Sequence, residues 1–182
     1  VNTENRLEIE VKIKVGLLDP WRQKIKLLPG VLEAARVFER NIIFDTTKKR
    51  LQKQGMLLRL RQQGARAILT MKMPVQEDSI YKVREETEVE VSDFASMEKI
   101  IRAIGFQVVF VYEKYREVFH ALGARIMIDE TPIGNFLEIE GNPEHIDAVA
   151  ARLGFTAADY ITDSYYRLFS RSGRSGHMVF SA

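Results

Sequence analysis

At 182 residues, 46% hydrophobic and 29% charged, the chain has the length and composition of one globular domain, or at most two small ones, with enough apolar side chains for a sizeable core. Its 27 Lys and Arg against 25 Asp and Glu leave a net charge of only +2, so no global field argues for nucleic acid or membrane, and an electrostatic function must come from local arrangement. The absence of cysteine excludes disulfides, thiolate zinc sites and a cysteine nucleophile, no apolar run reaches the roughly 18 residues of a membrane span, and the start Val1 to Leu7 is too polar for a signal peptide. A cytoplasmic location is expected, and an initial Val fits a processed or trimmed start.

The stretch Leu7 to Val15 alternates apolar and charged residues without a fault. In a strand this sends Glu8, Glu10, Lys12 and Lys14 to one face and Leu7, Ile9, Val11, Ile13 and Val15 to the other. Asp19-Pro20 reads as an N-cap followed by proline at the first helical position, and Trp21, Ile25 and Leu28 share a helical face up to Pro29-Gly30. Ala35 to Thr46 reads as a strand with Phe38, Ile42 and Phe44 opposite Glu39, Asn41 and Asp45, and Lys48 to Gln54 as a helical turn closed by Gly55. Met56 to Gln63 alternates Leu58 and Leu60 with Arg59 and Arg61, and Gln63-Gly64-Ala65 turns the chain into Arg66 to Met73, where Thr70 and Lys72 share a face.

Pro74 to Ser79 is a polar loop, and Tyr81 to Val91 carries Arg84, Glu86, Glu88 and Glu90 in one parity. Ser92 is placed to cap a helix through Ile104, closed by Gly105. The long strand Gln107 to His120 has Val108, Phe110, Tyr112, Lys114 and Arg116 in one parity; Ala124 to Glu130 follows with Arg125, Met127 and Asp129, and Asn135 to Gly141 with Glu138 and Glu140. Asn142-Pro143 starts a helix through Leu153, Thr162 to Phe169 forms one more short helix, and the Ser/Gly/Arg-rich residues 171–182 read as a flexible tail after a single domain over 1–170. No glycine-rich dinucleotide or Walker-type loop and no internal repeat is present.

Eight strands thus repeat one idea, and seven of them carry charge in one parity. An antiparallel sheet with that face in water is the ordinary alternative. Two observations favour the opposite orientation. The helices carry apolar stripes that the apolar parity of the strands is suited to receive, so the helices clad the outside of a strongly curved sheet. Arginine, frequent in the charged parity, presents a planar fork matched to phosphate oxygens. The expected fold is α+β: an eight-stranded, mainly antiparallel, closed or nearly closed β-barrel with a charged interior, clad by short helices. Glu8, Glu10, Glu138 and Glu140 suit Mg²⁺ or Mn²⁺, and Arg59, Arg61, Lys72, Lys114, Arg116 and Arg125 can grip a chain of phosphates.

Glu8-x-Glu10-x-Lys12 resembles the ExExK signature of CYTH domains, the triphosphate tunnel metalloenzymes that include class IV adenylyl cyclases, thiamine triphosphatases and inorganic triphosphatases. Phe44-Asp45-Thr46, Leu58-Arg59-Leu60-Arg61, the strand ending in Lys72, Glu113-Lys114-Tyr115-Arg116, the Asp129 strand, Leu137-Glu138-Ile139-Glu140 and Asp163-Ser164-Tyr165 look like the family's blocks in the family's order, over about residues 5 to 170. The resemblance implies a tunnel whose metal ligands are Glu138 and Glu140, with Glu8 and Glu10 supporting. It implies triphosphate ligands Lys12, Arg59, Arg61, Lys72, Lys114 and Arg116, with Arg125 and Asp129 as further substrate-binding candidates. Lys12, Glu10 and Arg116 are the catalytic candidates, Lys12 either orienting or deprotonating the attacking oxygen. Tyr165 either orients a site group or packs; His120, His145 and His177 are expected at the surface, Trp21, Met56, Met71 and Met73 in the core, and Lys48-Lys49-Arg50 on a solvated helix face.

The expected function is a metal-dependent enzyme acting on a triphosphate-bearing small molecule, as a class IV adenylyl cyclase converting ATP to cyclic AMP and pyrophosphate. The alternative chemistry is a triphosphatase acting on tripolyphosphate, thiamine triphosphate or a nucleoside triphosphate. A non-catalytic polyphosphate or nucleotide-binding module and an RNA-binding barrel are alternatives of other classes; the second lacks exposed aromatics beside its basic positions, Tyr112 being the main one. No nucleic-acid or membrane partner is expected, and the chain is a monomer or homodimer.

Overall fold

The computed structural model describes residues 6–75 and 79–181. The start of the chain, residues 76–78 of the expected polar loop, and Ala182 lie outside the described residues. Eight strands are present: β1 (Arg6–Val15), β2 (Gly30–Asp45), β3 (Leu57–Gln63), β4 (Arg66–Pro74), β5 (Lys82–Val91), β6 (Gln107–Ala121), β7 (Ala124–Thr131) and β8 (Gly134–Glu140). They close into a barrel in the order β1-β5-β4-β3-β2-β6-β7-β8. Every neighbouring pair is antiparallel. The register across the β1–β8 seam sets Lys12 opposite Glu138 and Glu10 opposite Glu140. Closure leaves one face of each strand inside and one outside, and that is what the two parities of the sequence sort.

The apolar parity faces outward and is covered by helices over much of the barrel, while Leu7, Phe38 and Val89 stay exposed. Helices α1 (Leu18–Lys26) and α4 (Pro143–Leu153) pack on β1, β6, β7 and β8 through a core of Val11, Ile13, Ile25, Ile126, Leu137, Ile139, Ile146 and Val149, with Trp21 stacked on Phe155 at 4.8 Å. Helix α3 (Phe94–Ala103) covers β2, β3 and β6 through Ile101, Ile42, Phe44, Leu60 and Val111. Pro143 stands in the first turn of α4, as its fixed φ suits, and Gly154 closes that helix at φ 93°, a conformation that favours glycine.

Helix α5 (Tyr165–Arg171) does something different. Its Tyr165 and Phe169 pack on Phe110, Tyr112 and Phe136, with Ile43 and Met178 alongside. Phe110, Tyr112 and Phe136 share the parity of the charged interior residues, so the barrel is apolar inside at this end, and α5 covers it. Ser164 caps the helix, its hydroxyl accepting from the Arg167 amide at 3.3 Å.

Several boundaries differ from the sequence expectation. β2 begins at Gly30 rather than Ala35, because its first part pairs with the long β6, with irregularities between Leu32 and Val37 that break the alternation. Leu18 opens α1, so Asp19 and Pro20 sit in its first turn, and the N-cap Leu17 makes no side-chain cap. Asp93 rather than Ser92 caps α3, accepting from the Ser96 amide at 2.6 Å. A short helix, α2 (Arg50–Lys53), occupies part of the expected turn. The segment expected as a flexible tail is anchored by its apolar residues. Met178 is fully buried and bridges to Tyr112, with amide and carbonyl bonded to Val111 and Glu113, while Phe180 packs on Tyr115. His177 lies against the Phe110 ring and its Nδ1 accepts from the Val111 amide at 3.2 Å.

Candidate active site

The interior of the barrel is a cavity of about 410 Å³, lined by nine basic and seven acidic side chains. Lys12, Arg59, Arg61, Lys72, Lys114, Arg116 and Arg125 all line it, as do Glu8, Glu10, Glu138 and Glu140. The side chains singled out from the sequence are therefore brought together, Asp129 standing just behind them. Buried charges persist only when paired, and here the pairing is dense.

On the β1–β8 wall the Lys12 ammonium lies 2.8 Å from Glu10 and 3.4 Å from Glu138. Burial alone would lower the pKa of Lys12, but Glu10 and Glu138 raise it above the usual lysine range. Lys12 is therefore an ammonium, suited to orient and neutralise phosphate oxygens, not to take a proton. Burial would likewise raise Glu10, yet Lys12 and Lys82 hold it well below the usual carboxylate range. Glu138 is held down in the same way, against burial, by Arg116, Lys114 and Lys12.

Asp129 is fully buried and absent from the cavity lining. It accepts from Lys114 Nζ at 2.8 Å, from Arg116 Nε at 2.7 Å and Nη2 at 2.6 Å, and from the Tyr165 hydroxyl at 2.7 Å. It holds two candidate phosphate ligands from behind. The Tyr165 ring lies under the ammonium groups of Lys12 and Lys114, at 5.4 and 5.1 Å from its centroid. Tyr165 thus both packs and orients.

The opposite wall repeats the design. Lys72 bonds both Glu8 oxygens at 2.6 Å and lies 3.3 Å from Glu86. Arg59 donates to Thr70 and to Glu88, each at 3.1 Å, and lies 3.5 Å from the Tyr112 hydroxyl, whose ring is buried rather than displayed for a base. At the rim Arg125 bridges Glu33 at 2.9 Å and Glu140 at 3.4 Å, and Glu90 pairs with Arg66 in solvent at 3.0 Å, so Glu90 stands outside the interior set.

Two site residues were missed in the sequence. Lys82 lines the cavity beside Glu10, with its pKa lowered by burial and, despite Glu10, by Lys12 and Lys72. It precedes Arg84 by two residues, so its parity was available. Glu39 is fully buried on β2, facing Arg61 at 3.6 Å and Lys114 at 3.8 Å. Burial would raise it, but Arg61 and Lys114 bring it down to about 2. Among the described residues Glu39 Oε2, Asn41 Nδ2 and Arg59 Nε are buried without a hydrogen-bond partner, an unanswered set of one acceptor and two donors on the β2–β3 wall.

A second cavity, of about 380 Å³, opens at the α5 end. It shares Ile43, Leu57, Lys72, Lys82, Phe110, Ser164 and Tyr166 with the first, and adds Met56, Val108, Arg84, Lys49 and Arg167. The two spaces meet across common walls, one highly charged and the other mixed apolar and basic.

The donor set fits a hard divalent ion in kind, four carboxylates on the adjoining strands β1 and β8. No group of three or more His, Cys, Asp or Glu side chains is gathered for a metal among the described residues, and each of these four carboxylates holds a cationic side chain. No helix among the described residues is long and apolar enough to cross a membrane.

The CYTH domain family matches residues 6–165. A relative from Methanocaldococcus jannaschii, provisionally named an adenylate cyclase, is 30% identical over 135 residues, covering 74% of this chain and 76% of the relative. Among solved structures, a Vibrio parahaemolyticus protein, also provisionally named an adenylate cyclase, superposes with a TM-score of 0.80 at 19% identity, covering 92% of this chain and 99% of that one. A Hippeastrum protein, provisionally named an adenylyl cyclase and described as having a dominant triphosphatase activity, superposes with a TM-score of 0.62 at 18% identity, covering 93% of this chain and 96% of that one. The barrel, its ion-paired interior and these matches agree: the chain belongs to the CYTH domain family.

Proposed function

We infer that this chain is a divalent-metal-dependent enzyme that holds a triphosphate in its tunnel and converts ATP to cyclic AMP and pyrophosphate. The observation that carries the reading is the pairing of two adjoining spaces: one walled by nine basic and seven acidic side chains, the other partly apolar. The first suits a chain of phosphates. The second, beyond Lys72 and Lys82, has room for a nucleoside.

Phosphoryl transfer asks the protein mainly for positioning and charge stabilisation. Arg59, Arg61, Lys72, Lys114 and Arg116 would grip the phosphate oxygens, with Arg125 at the rim. Asp129 and Glu39 would hold Lys114, Arg116 and Arg61 in place. Glu138, Glu140, Glu10 and Glu8 would hold Mg²⁺ or Mn²⁺, which would supply positive charge that the small surplus of basic over acidic side chains does not. In the cyclase reaction the ribose 3′ hydroxyl gives up its proton to solvent, its oxygen bonds to the α-phosphorus, the bond from that phosphorus to the bridging oxygen breaks, and pyrophosphate leaves. Lys12, kept as an ammonium, would orient and neutralise the phosphates, and Arg116 would balance charge on the reacting group.

A second reading is supported by the Hippeastrum neighbour, described as predominantly a triphosphatase: water in place of the 3′ oxygen, attacking a terminal phosphorus. The test is product identity. The protein is incubated with ATP, tripolyphosphate and thiamine triphosphate in Mg²⁺ or Mn²⁺, and the products are resolved by anion exchange. Cyclic AMP with pyrophosphate supports the cyclase, orthophosphate supports the triphosphatase, and no product from any substrate refutes both.

A further inference from the structure

The groups that suit phosphate and the groups that suit metal are, in this structure, bound to each other. Glu8 holds Lys72 at 2.6 Å, Glu10 holds Lys12 at 2.8 Å and Lys82 at 2.5 Å, and Glu138 holds Arg116 at 2.5 Å and Lys12 at 3.4 Å. All of these side chains except Lys82 are at most 11% exposed, so water does little to replace a lost partner. Lys82 is only 16% exposed.

We propose that the tunnel is an ion-exchange lock, in which carboxylates restrain the phosphate-binding cations until metal and triphosphate arrive together. A phosphate that draws Lys72 away from Glu8 leaves a buried carboxylate uncompensated, and a metal drawn to Glu8 or Glu10 leaves buried ammonium groups uncompensated. Each event alone breaks a buried pair. Both together exchange one internal ammonium–carboxylate pair, such as Lys72–Glu8, for a phosphate–ammonium pair and a carboxylate–metal pair, so both buried charges keep a partner. By linkage each ligand strengthens the other's binding, and the coupling belongs to the protein's own residues. The consequence is selection for the metal-loaded triphosphate and discrimination against the bare polyanion. The proposal rests on the tunnel being the triphosphate site.

The test separates the glutamates as locks from the glutamates as metal ligands. Tripolyphosphate binding is measured by isothermal titration in EDTA and again in saturating Mg²⁺, for the wild type, Glu8→Gln and Glu10→Gln. A lock predicts that either substitution tightens metal-free binding by about tenfold, one buried charge pair's restraint being removed, with no such gain in Mg²⁺. Chelation of Mg²⁺ by free tripolyphosphate is common to all three proteins and cancels. If the wild type binds in Mg²⁺ while both variants bind no tighter than it in EDTA, the lock is refuted and the triphosphate site stands. If the wild type binds in neither condition, the functional reading itself fails. The unmodified protein offers a check independent of the variants' folding. With every candidate carboxylate held by a cation, millimolar Mg²⁺ alone is expected to raise the melting temperature by no more than about one degree, and a large stabilisation by Mg²⁺ alone overturns the lock.

Discussion

Replacing Asp129 by Asn keeps the shape of the side chain and removes its charge. In the folded protein this carboxylate is fully buried and receives three hydrogen bonds from Lys114 and Arg116 and one from Tyr165, at 2.6 to 2.8 Å. Charge-assisted bonds each contribute about 1.5–3 kcal/mol, but four on one group do not add, since they share a single buried charge. Removing one side of a buried pair costs about 3–5 kcal/mol, because the two desolvated cations lose their shared counter-ion and keep only Glu138 beside Arg116 and Glu39 at 3.8 Å from Lys114. The amide also turns an –NH₂ donor toward a cation or the tyrosine hydroxyl, so the upper half of that range is expected. With a urea dependence of about 2 kcal/mol/M, the midpoint of unfolding falls by roughly 2 M. Tripolyphosphate with Mg²⁺ recovers part of the loss, since phosphate replaces the missing anion beside Lys114 and Arg116. A destabilisation below about 1 kcal/mol in equilibrium urea unfolding refutes the placement of Asp129 as the buried anchor of these two cations.

Burial raises Glu86, with Lys72 opposing and Glu8 and Glu88 adding, to about 7 from the ordinary 4.5. The folded protein then binds this proton more tightly than the unfolded chain, so the contribution of Glu86 to stability is full below about pH 4.5 and is lost as pH rises through about 7, by at most about 3 kcal/mol. Urea unfolding between pH 5 and 8 should show the decline and Glu86→Gln should flatten it; equal slopes in the two proteins contradict the assignment. Tyr165→Phe removes one donor to Asp129 and keeps the ring beneath Lys12 and Lys114, for an expected loss of about 1 kcal/mol; no change in the unfolding midpoint would mean that the hydroxyl does not support Asp129. Met178→Ala empties a fully buried position against Phe110 and Tyr112 and is expected to cost about 2–4 kcal/mol, whereas a change near zero would mean that the C-terminal segment is not packed there in solution.

The alternation of Leu7 to Val15 made β1 legible, and its repetition in β3, β4, β6, β7 and β8 made the barrel and most of its interior legible with it. Period two is a strong signal where one face is apolar and the other charged, and each of these strands has that contrast. The first part of β2 does not: Gly30 to Phe38 is mostly apolar and irregularly paired with β6, so its strand became evident only from its partner. Phe110, Tyr112 and Phe136 stood in the charged parity as apparent exceptions. They are where the interior turns apolar, and α5 covers them, a contact across distant segments that no local pattern encodes. The tail misled through composition, because two arginines, two glycines and several serines outweighed Met178 and Phe180, the residues that anchor it. Asp129 was legible as an interior residue but not as a buried one, since parity tells which face a side chain takes and not how many cations stand in front of it.

The central claim is that the charged interior receives a triphosphate with its metal. Its most direct test is a crystal structure of the protein grown with Mn²⁺ and a non-hydrolysable ATP analogue, with the metal located by its anomalous signal. The account predicts the phosphates inside the barrel against Arg59, Lys114 and Arg116, with Mn²⁺ on Glu138 and its neighbouring glutamates. Phosphates bound elsewhere, with the interior glutamates still paired to their lysines and arginines, would contradict it.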